Sequence, residues 1–200
     1  MKRIMTTLVA AILLIASPAL AIPTTIDFER LADSDQVTNQ FSGLIFTNAT
    51  TITAGITLNK FELPPHSGVN VVIDDGGPIT IDFATPQDQV SGFFTYSKPL
   101  TLTALDALNN TVDTMTSAFS SNLALSGDIG SSPNEPLSVA FTSGISHVTI
   151  AGDPAGTSFA LDDLTFTTVP EPSTLLLLII GLCSIAGWKG LRRLRNSYYL

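Results

Sequence analysis

Between Ile22 and Val169 the chain has almost no run with the period of a helix, and this limits it to an all-β fold. Thr, Val, Ile and Phe recur throughout, and their branched or aromatic side chains suit a pleated, half-buried surface. Val69-Asn70-Val71-Val72-Ile73 and Ile79-Thr80-Ile81-Asp82-Phe83 flank Asp74-Asp75-Gly76-Gly77-Pro78. That pattern predicts a hairpin with a five-residue loop, in which the Asp and Gly residues are turn formers. A second hairpin is expected between 90–96 and 100–105 across Ser97-Lys98-Pro99. Asn109-Asn110, which tolerate left-handed backbone, turn the chain between 100–108 and 111–116. Further strands are expected at 25–28, 43–47, 137–142, 145–151 and 158–167. About ten strands with turns every 8 to 15 residues or so predict a two-sheet sandwich or jelly roll. Residues 126–136 and the approach to Pro170 read as loose connections.

Charge divides the chain into three. All 17 acidic residues lie between Asp27 and Glu171, where only Arg30, Lys60 and Lys98 oppose them, a net of −14. The other six basic residues are Lys2, Arg3, Lys189, Arg192, Arg193 and Arg195, all near the ends. An acidic body excludes nucleic acid as a partner, because binding a phosphate backbone needs a cationic face. The single cysteine, Cys183, lies in a C-terminal apolar run. The middle therefore has no thiol for a disulfide, a Cys-ligated metal or a Cys nucleophile. At about 150 residues it is large enough to fold without such staples.

The two ends read as export signals. Residues 1–21 hold Lys2 and Arg3, an apolar stretch from Leu8 to Ile15, then Ser17, Pro18 and Ala19-Leu20-Ala21. This is the pattern of a secretory leader with a small-x-small site at Ala19 and Ala21, which predicts cleavage by signal peptidase after Ala21. At the other end Pro170-Glu171-Pro172 precedes an apolar helix expected over 174–188, and a basic tail follows. The uncharged core of that segment, 14 residues from Leu175 to Trp188, spans about 21 Å as a helix, against roughly 30 Å of hydrocarbon. Such a helix is short for a stable span, although Lys189 can snorkel and Trp188 suits the interface. Lys189, Arg192, Arg193 and Arg195 direct the C-terminus to the cytoplasm by the positive-inside rule. The two prolines hold the entry segment extended at the outer boundary. A membrane protease can grip backbone in that form, with Glu171 as the one fixed charge.

Pro-Glu-Pro, apolar helix and Arg-rich end, in that order and behind an N-terminal leader, resemble the PEP-CTERM sorting signal. The resemblance implies processing by an exosortase, a membrane cysteine protease, at the inner membrane of a Gram-negative bacterium that makes exopolysaccharide. It implies three parts: a leader at 1–21, an ectodomain at 22–169 and a sorting signal at 170–196. A Leu-Pro-x-Thr-Gly motif for a sortase is absent. A plain membrane-anchored protein has the same layout and is the alternative.

The middle resembles, more diffusely, the galactose-binding-like jelly-roll domains. The resemblance rests on Ile26-Asp27-Phe28-Glu29, on Leu102-Thr103-Ala104-Leu105-Asp106-Ala107 before Asn109-Asn110, and on Phe159-Ala160-Leu161-Asp162-Asp163-Leu164-Thr165-Phe166. In the last run Phe159 and Leu161 alternate onto one face, while Leu164 and Phe166 fall on the other. A bulge at Asp162-Asp163 would turn both pairs inward. In jelly rolls of this kind the first and last strands pair, which would bring Asp162 or Asp163 near Asp27 and Glu29. Carboxylates gathered in this way either hold a structural Ca²⁺ or cap the bulge and face water.

No catalytic set stands out. His66 follows Pro64-Pro65, His147 sits within an expected strand, and neither has a spaced partner. No Gly-x-Ser-x-Gly elbow or Gly-rich phosphate loop is present. Phe93, Phe94 and Tyr96 are candidates for stacking on sugars or for the core. Two functions are expected from different classes: a non-catalytic surface or matrix protein tied to exopolysaccharide and biofilm, and a carbohydrate-binding module with a structural calcium site.

Overall fold

The computed structural model of the 200-residue chain describes residues 21–169 and, further on, residues 178, 181 and 182, which are helical. The leader up to residue 20, Pro170, Glu171 and Pro172, the rest of 174–188, and Lys189, Arg192, Arg193 and Arg195 lie outside the described residues. Among the described residues no helix is long and apolar enough to cross a membrane. Ile22–Val169 forms a compact unit.

That unit is all β. Its strands are β1 (Pro23–Ile26), β2 (Leu44–Thr47), β3 (Ala49–Thr53), β4 (Asn70–Asp74), β5 (Ile79–Tyr96), β6 (Thr101–Leu105), β7 (Thr111–Thr116), β8 (Glu135–Ala151) and β9 (Phe159–Thr168). They form one antiparallel sheet in the order β3-β4-β9-β5-β8-β6-β7, with β1 added to β9 and β2 to β5. The two separate sheets expected of a sandwich are therefore joined. The cause is two long strands that serve both halves. The first part of β5 pairs with β2 and with the C-terminal part of β8; its second part pairs with β9 and with the N-terminal part of β8.

Register slips between Asp82 and Gln87 mark the bend of β5. Pro86, which has no N–H to donate, sits where the ladder is interrupted. Gly144 of β8, at a φ of 107°, lies so close that an added Cβ would come 2.6 Å from the Pro86 Cβ. The bend therefore needs a residue without a side chain at that point.

Two expected hairpins do not form. The run at 69–73 pairs through β4 with β3 and β9 rather than with 79–83. The run at 100–105 pairs through β6 with β7 and β8 rather than with 90–96. The Asn109 turn does join β6 to β7, at a φ of 63°. Asp74 is no exposed turn residue. It is buried, and its carboxylate accepts the N–H groups of Ser158 and Phe159 and the Ser158 hydroxyl. Segment 126–136 is likewise tied down, since Ser132 O accepts from buried Asn122 and the Asn134 N–H donates to Thr95 Oγ1.

One apolar cluster fills the inside of the sheet and draws on Phe28, Phe46, Val72, Ile81, Phe94, Leu102, Ile150, Leu161 and others. Alternation puts neighbours of these residues on the opposite face. There Val71 and Ala160 meet Leu58, with Ile52, Leu63 and Ile73 packed beside them. Residues 54–69 thus cross the outer face of β3, β4 and β9 and bury it.

Candidate functional site

The pairing of the first and last strands is present. β1 runs beside β9, with Ile26 opposite Leu164. β9 also carries the expected bulge, because its register against β5 slips between Ser91/Thr165 and Phe93/Asp162, with Asp163 at a φ of 46°. The extra residue turns both apolar pairs inward: Phe159, Leu161 and Leu164 are buried, and Phe166 packs against the core. Just past the end of β1 the matching irregularity is Phe28, at a φ of 60°. A bulky residue rarely takes this conformation, and here its ring lies in the core. That turn sends Asp27 outward, where its carboxylate accepts the Glu29 N–H, and swings Glu29 under the loop that follows Pro65.

Three of the four carboxylates singled out in the sequence converge on this loop. Asp162 Oδ2 accepts the N–H groups of His66 and Ser67 at 2.7 and 2.8 Å, and its Oδ1 accepts the Asp163 N–H at 2.7 Å. Asp163 accepts the Ser67 hydroxyl at 2.9 Å and pairs with His66 Nδ1 at 2.6 Å. Glu29 Oε1 accepts the N–H groups of Val69 and Asn70 at 2.9 and 2.8 Å. Gly68, between them, takes a φ of 51°, and a Cβ there would lie 2.2 Å from the Glu29 carboxyl carbon. Asp162 is only 1% exposed. Burial pushes its carboxyl up to about 6, and the nearby Asp163 charge adds to this against the opposing pull of the N–H groups.

These contacts bear on calcium. A Ca²⁺ shell needs several oxygens free to turn toward the ion. Here both oxygens of Asp162 and one of Glu29 already face N–H groups, and Asp27 is turned away. Among the described residues no group of three or more His, Cys, Asp or Glu side chains is arranged to hold a metal ion. As placed, these carboxylates latch the loop through N–H and hydroxyl donors.

Ser67, His66 and Asp163 are residue types that could suggest a nucleophilic triad, but the geometry is wrong. The Ser67 hydroxyl donates to the carboxylate and not to the imidazole. The imidazole also lies flat on Phe93, with centroids 3.5 Å apart and planes within 7°. A nucleophile needs the hydroxyl hydrogen-bonded to its base. His147 sits within β8, opposite Asp82 and Leu105. Phe94 and Tyr96 are core residues, and Phe93 has a face covered by His66. The Tyr96 hydroxyl, pushed up to about 12 mainly by burial, donates to Glu135.

The rest of the 54–69 loop was not foreseen in the sequence. Asp33 accepts the Thr53 N–H and the Thr57 hydroxyl, which holds its carboxyl below the usual range. At the far end Glu62 Oε2 accepts the N–H groups of Leu125 and Ser126, and the first of these contacts lowers its pKa. The Ala124 N–H donates to Glu62 O. Ile56, Phe61 and Leu125 nevertheless remain exposed. The partners of these anchors are 63 residues away for Glu62 and 96 for Asp162, so no local pattern announces them. A separate cleft of about 330 Å³ opens beside β2, lined by Asn39, Phe41, Ile45, Asp82 and Phe83 among others.

Several solved structures are similar to this chain. The K2 cleaved adhesin domain of Lys-gingipain superposes at a TM-score of 0.48 with 15% identity, over 74% of this chain and 100% of that one. A DUF4465 family protein from Bacteroides caccae gives 0.44 and 11%, over 74% and 99%. A variant of the family 29 carbohydrate-binding module CBM29-2 gives 0.42 and 10%, over 74% and 93%. Similarity at this level fixes neither ligand nor activity. No curated protein sequence matches the chain. The tail is a different matter, because residues 168–193 match the PEP-CTERM protein-sorting motif. Their first residue, Thr168, is the last residue of β9. The chain thus carries a PEP-CTERM sorting motif that starts where its β domain ends.

Proposed function

We propose that this is an exported, non-catalytic surface or matrix protein, with the β domain as passenger and the tail as a removable handle. Signal peptidase cuts after Ala21, the apolar segment 174–188 holds the chain in the inner membrane, and an exosortase acts at Pro170-Glu171-Pro172. The released domain joins the cell surface or the extracellular matrix of a Gram-negative bacterium and associates with exopolysaccharide in its biofilm. The observation that carries this reading is the sorting motif at 168–193. It abuts a β domain in which Ser67, His66 and Asp163 are arranged to hold a loop rather than to attack a substrate.

Replacing Pro170-Glu171-Pro172 with three alanines in the producing strain tests it. The altered protein should stay in the inner-membrane fraction while the parent reaches the surface. Retention of both in the inner-membrane fraction would support the plain membrane-anchored alternative, and equal surface delivery of both would point to another export route.

A further inference from the structure

The sorting motif and the sheet share backbone. The motif match begins at Thr168, and Thr168 is also the last residue of β9, opposite Gln87 of β5. One residue further on, the Val169 N–H donates to Pro86 O at 3.2 Å, and the Val169 side chain lies by Gly144 at the bend of β8. The folded domain therefore holds the chain up to the residue before Pro170.

That hold bears on a protease acting at 170–172. An enzyme that takes its substrate extended pairs with the substrate backbone, as an added strand does. Pro170 and Pro172 have no N–H to offer. On the N-terminal side of the motif the nearest donor is the Val169 N–H, and Pro86 O occupies it. One N–H cannot serve both partners in good geometry. A grip that ends at Pro170, Glu171 or Pro172 and extends a few residues back thus competes with the sheet.

The sheet can yield there without coming apart. Thr168 is exposed, and β1 begins opposite Thr167, so Thr168 pairs on one side, with Gln87. Two residues back, Phe166 packs against the core, its ring centroid 5.5 Å from that of Phe83. Peeling stops at that residue. It has to be shallow, because β9 joins β4 to β5 and carries β1. We propose that the exosortase draws Thr168 and Val169 out of the sheet, the Val169 N–H passing from Pro86 O to the enzyme while Phe166 holds the rest of β9 in place. Release of these two residues sets the rate of processing. The proposal rests on the reading that the tail is processed at 170–172 and adds the step that limits it.

Pulse-chase labelling in the producing strain, with full-length and shortened chains separated by mass, reads that rate. Inserting Gly-Ser-Thr-Thr-Val between Val169 and Pro170 leaves 167–169 in the sheet and repeats the native Thr-Thr-Val before the motif, with N–H groups that Pro86 does not hold. This chain should be shortened about fivefold faster than the parent, the worth of one net hydrogen bond. An insert of five prolines lengthens the tether comparably but supplies no N–H, and should be no faster than the parent. Thermal melts of the purified full chains in detergent check that 22–169 stays folded in all three. Equal rates for the parent and the Thr-Thr-Val repeat would overturn the proposal. So would equal acceleration by both inserts, which would mean that distance alone had been limiting. A parent that is never shortened would sink the sorting reading, and this step with it.

Discussion

Replacing Asp162 with Asn should be nearly neutral at pH 4 to 5 and should stabilise the domain at neutral pH. In the folded protein the Asp162 carboxyl is pushed from its ordinary 3.8 to about 6, chiefly by burial. The folded state therefore keeps a proton that the unfolded state releases. The stabilising contribution is complete below about pH 4 and is lost as pH rises through 6. At about 1.4 kcal/mol per pH unit, a difference of about two units amounts to ~3 kcal/mol. Asn removes this charge penalty at pH 7 but loses one acceptor. An amide has a single oxygen, whereas the two carboxylate oxygens together receive three N–H groups, from His66, Ser67 and Asp163. Leaving a buried N–H without a partner costs about 1–3 kcal/mol. At pH 4.5 the parent carboxyl is itself protonated and, like the amide, keeps one full acceptor, so the two proteins differ little; as pH rises through 6 the parent takes on the charge penalty and falls behind Asn. Urea denaturation of parent and Asp162→Asn between pH 4 and 7.5 reads this directly, because carboxylates common to both proteins drop out of the difference. A difference that does not change with pH, or in which Asn loses ground to the parent as pH rises, would refute the burial argument.

Three further outcomes follow from the same cluster. Gly68→Ala should destabilise the domain by about 1–3 kcal/mol in chemical denaturation, since a left-handed residue acquires a Cβ that must displace the Glu29 carboxylate. Glu29→Gln, which keeps an acceptor oxygen for Val69 and Asn70, should cost less. EDTA should leave the melting temperature of the purified protein unchanged, because N–H groups occupy the oxygens that a cation would need; a fall of several degrees would restore structural calcium.

The strand-forming stretches were legible because side-chain alternation is a local property. The 111–116 strand, the Asn109 turn and the bulge at Asp162-Asp163 all follow from neighbours in sequence. Pairing was less legible. Asp74-Asp75-Gly76-Gly77-Pro78 has the chemistry of a hairpin loop, yet β4 goes to β3 and β9 because Asp74 is held by residues 158 and 159. β5 and β8 read as two strands each, at 79–83 and 90–96 and at 137–142 and 145–151; Pro86 and Gly144 lie at bends within continuous strands. At the site, the pairing of the first and last strands was enough to suggest that the carboxylates gather. Their use as a latch was hidden, because the donors belong to residues 66–70, and 66–68 show no strand or helix pattern at all. β3 went unseen: its Thr-rich run, Ala49–Thr53, lies one residue after β2 with only Asn48 between them.

The central claim is that the tail is a handle removed in delivery, and the intact mass of protein recovered from the surface of producing cells tests it most directly. The account predicts a mass lacking both the leader through Ala21 and the apolar segment with its basic end, and retention of that segment when exosortase is deleted. Surface protein from an exosortase-positive strain that still extends to Leu200 would contradict it.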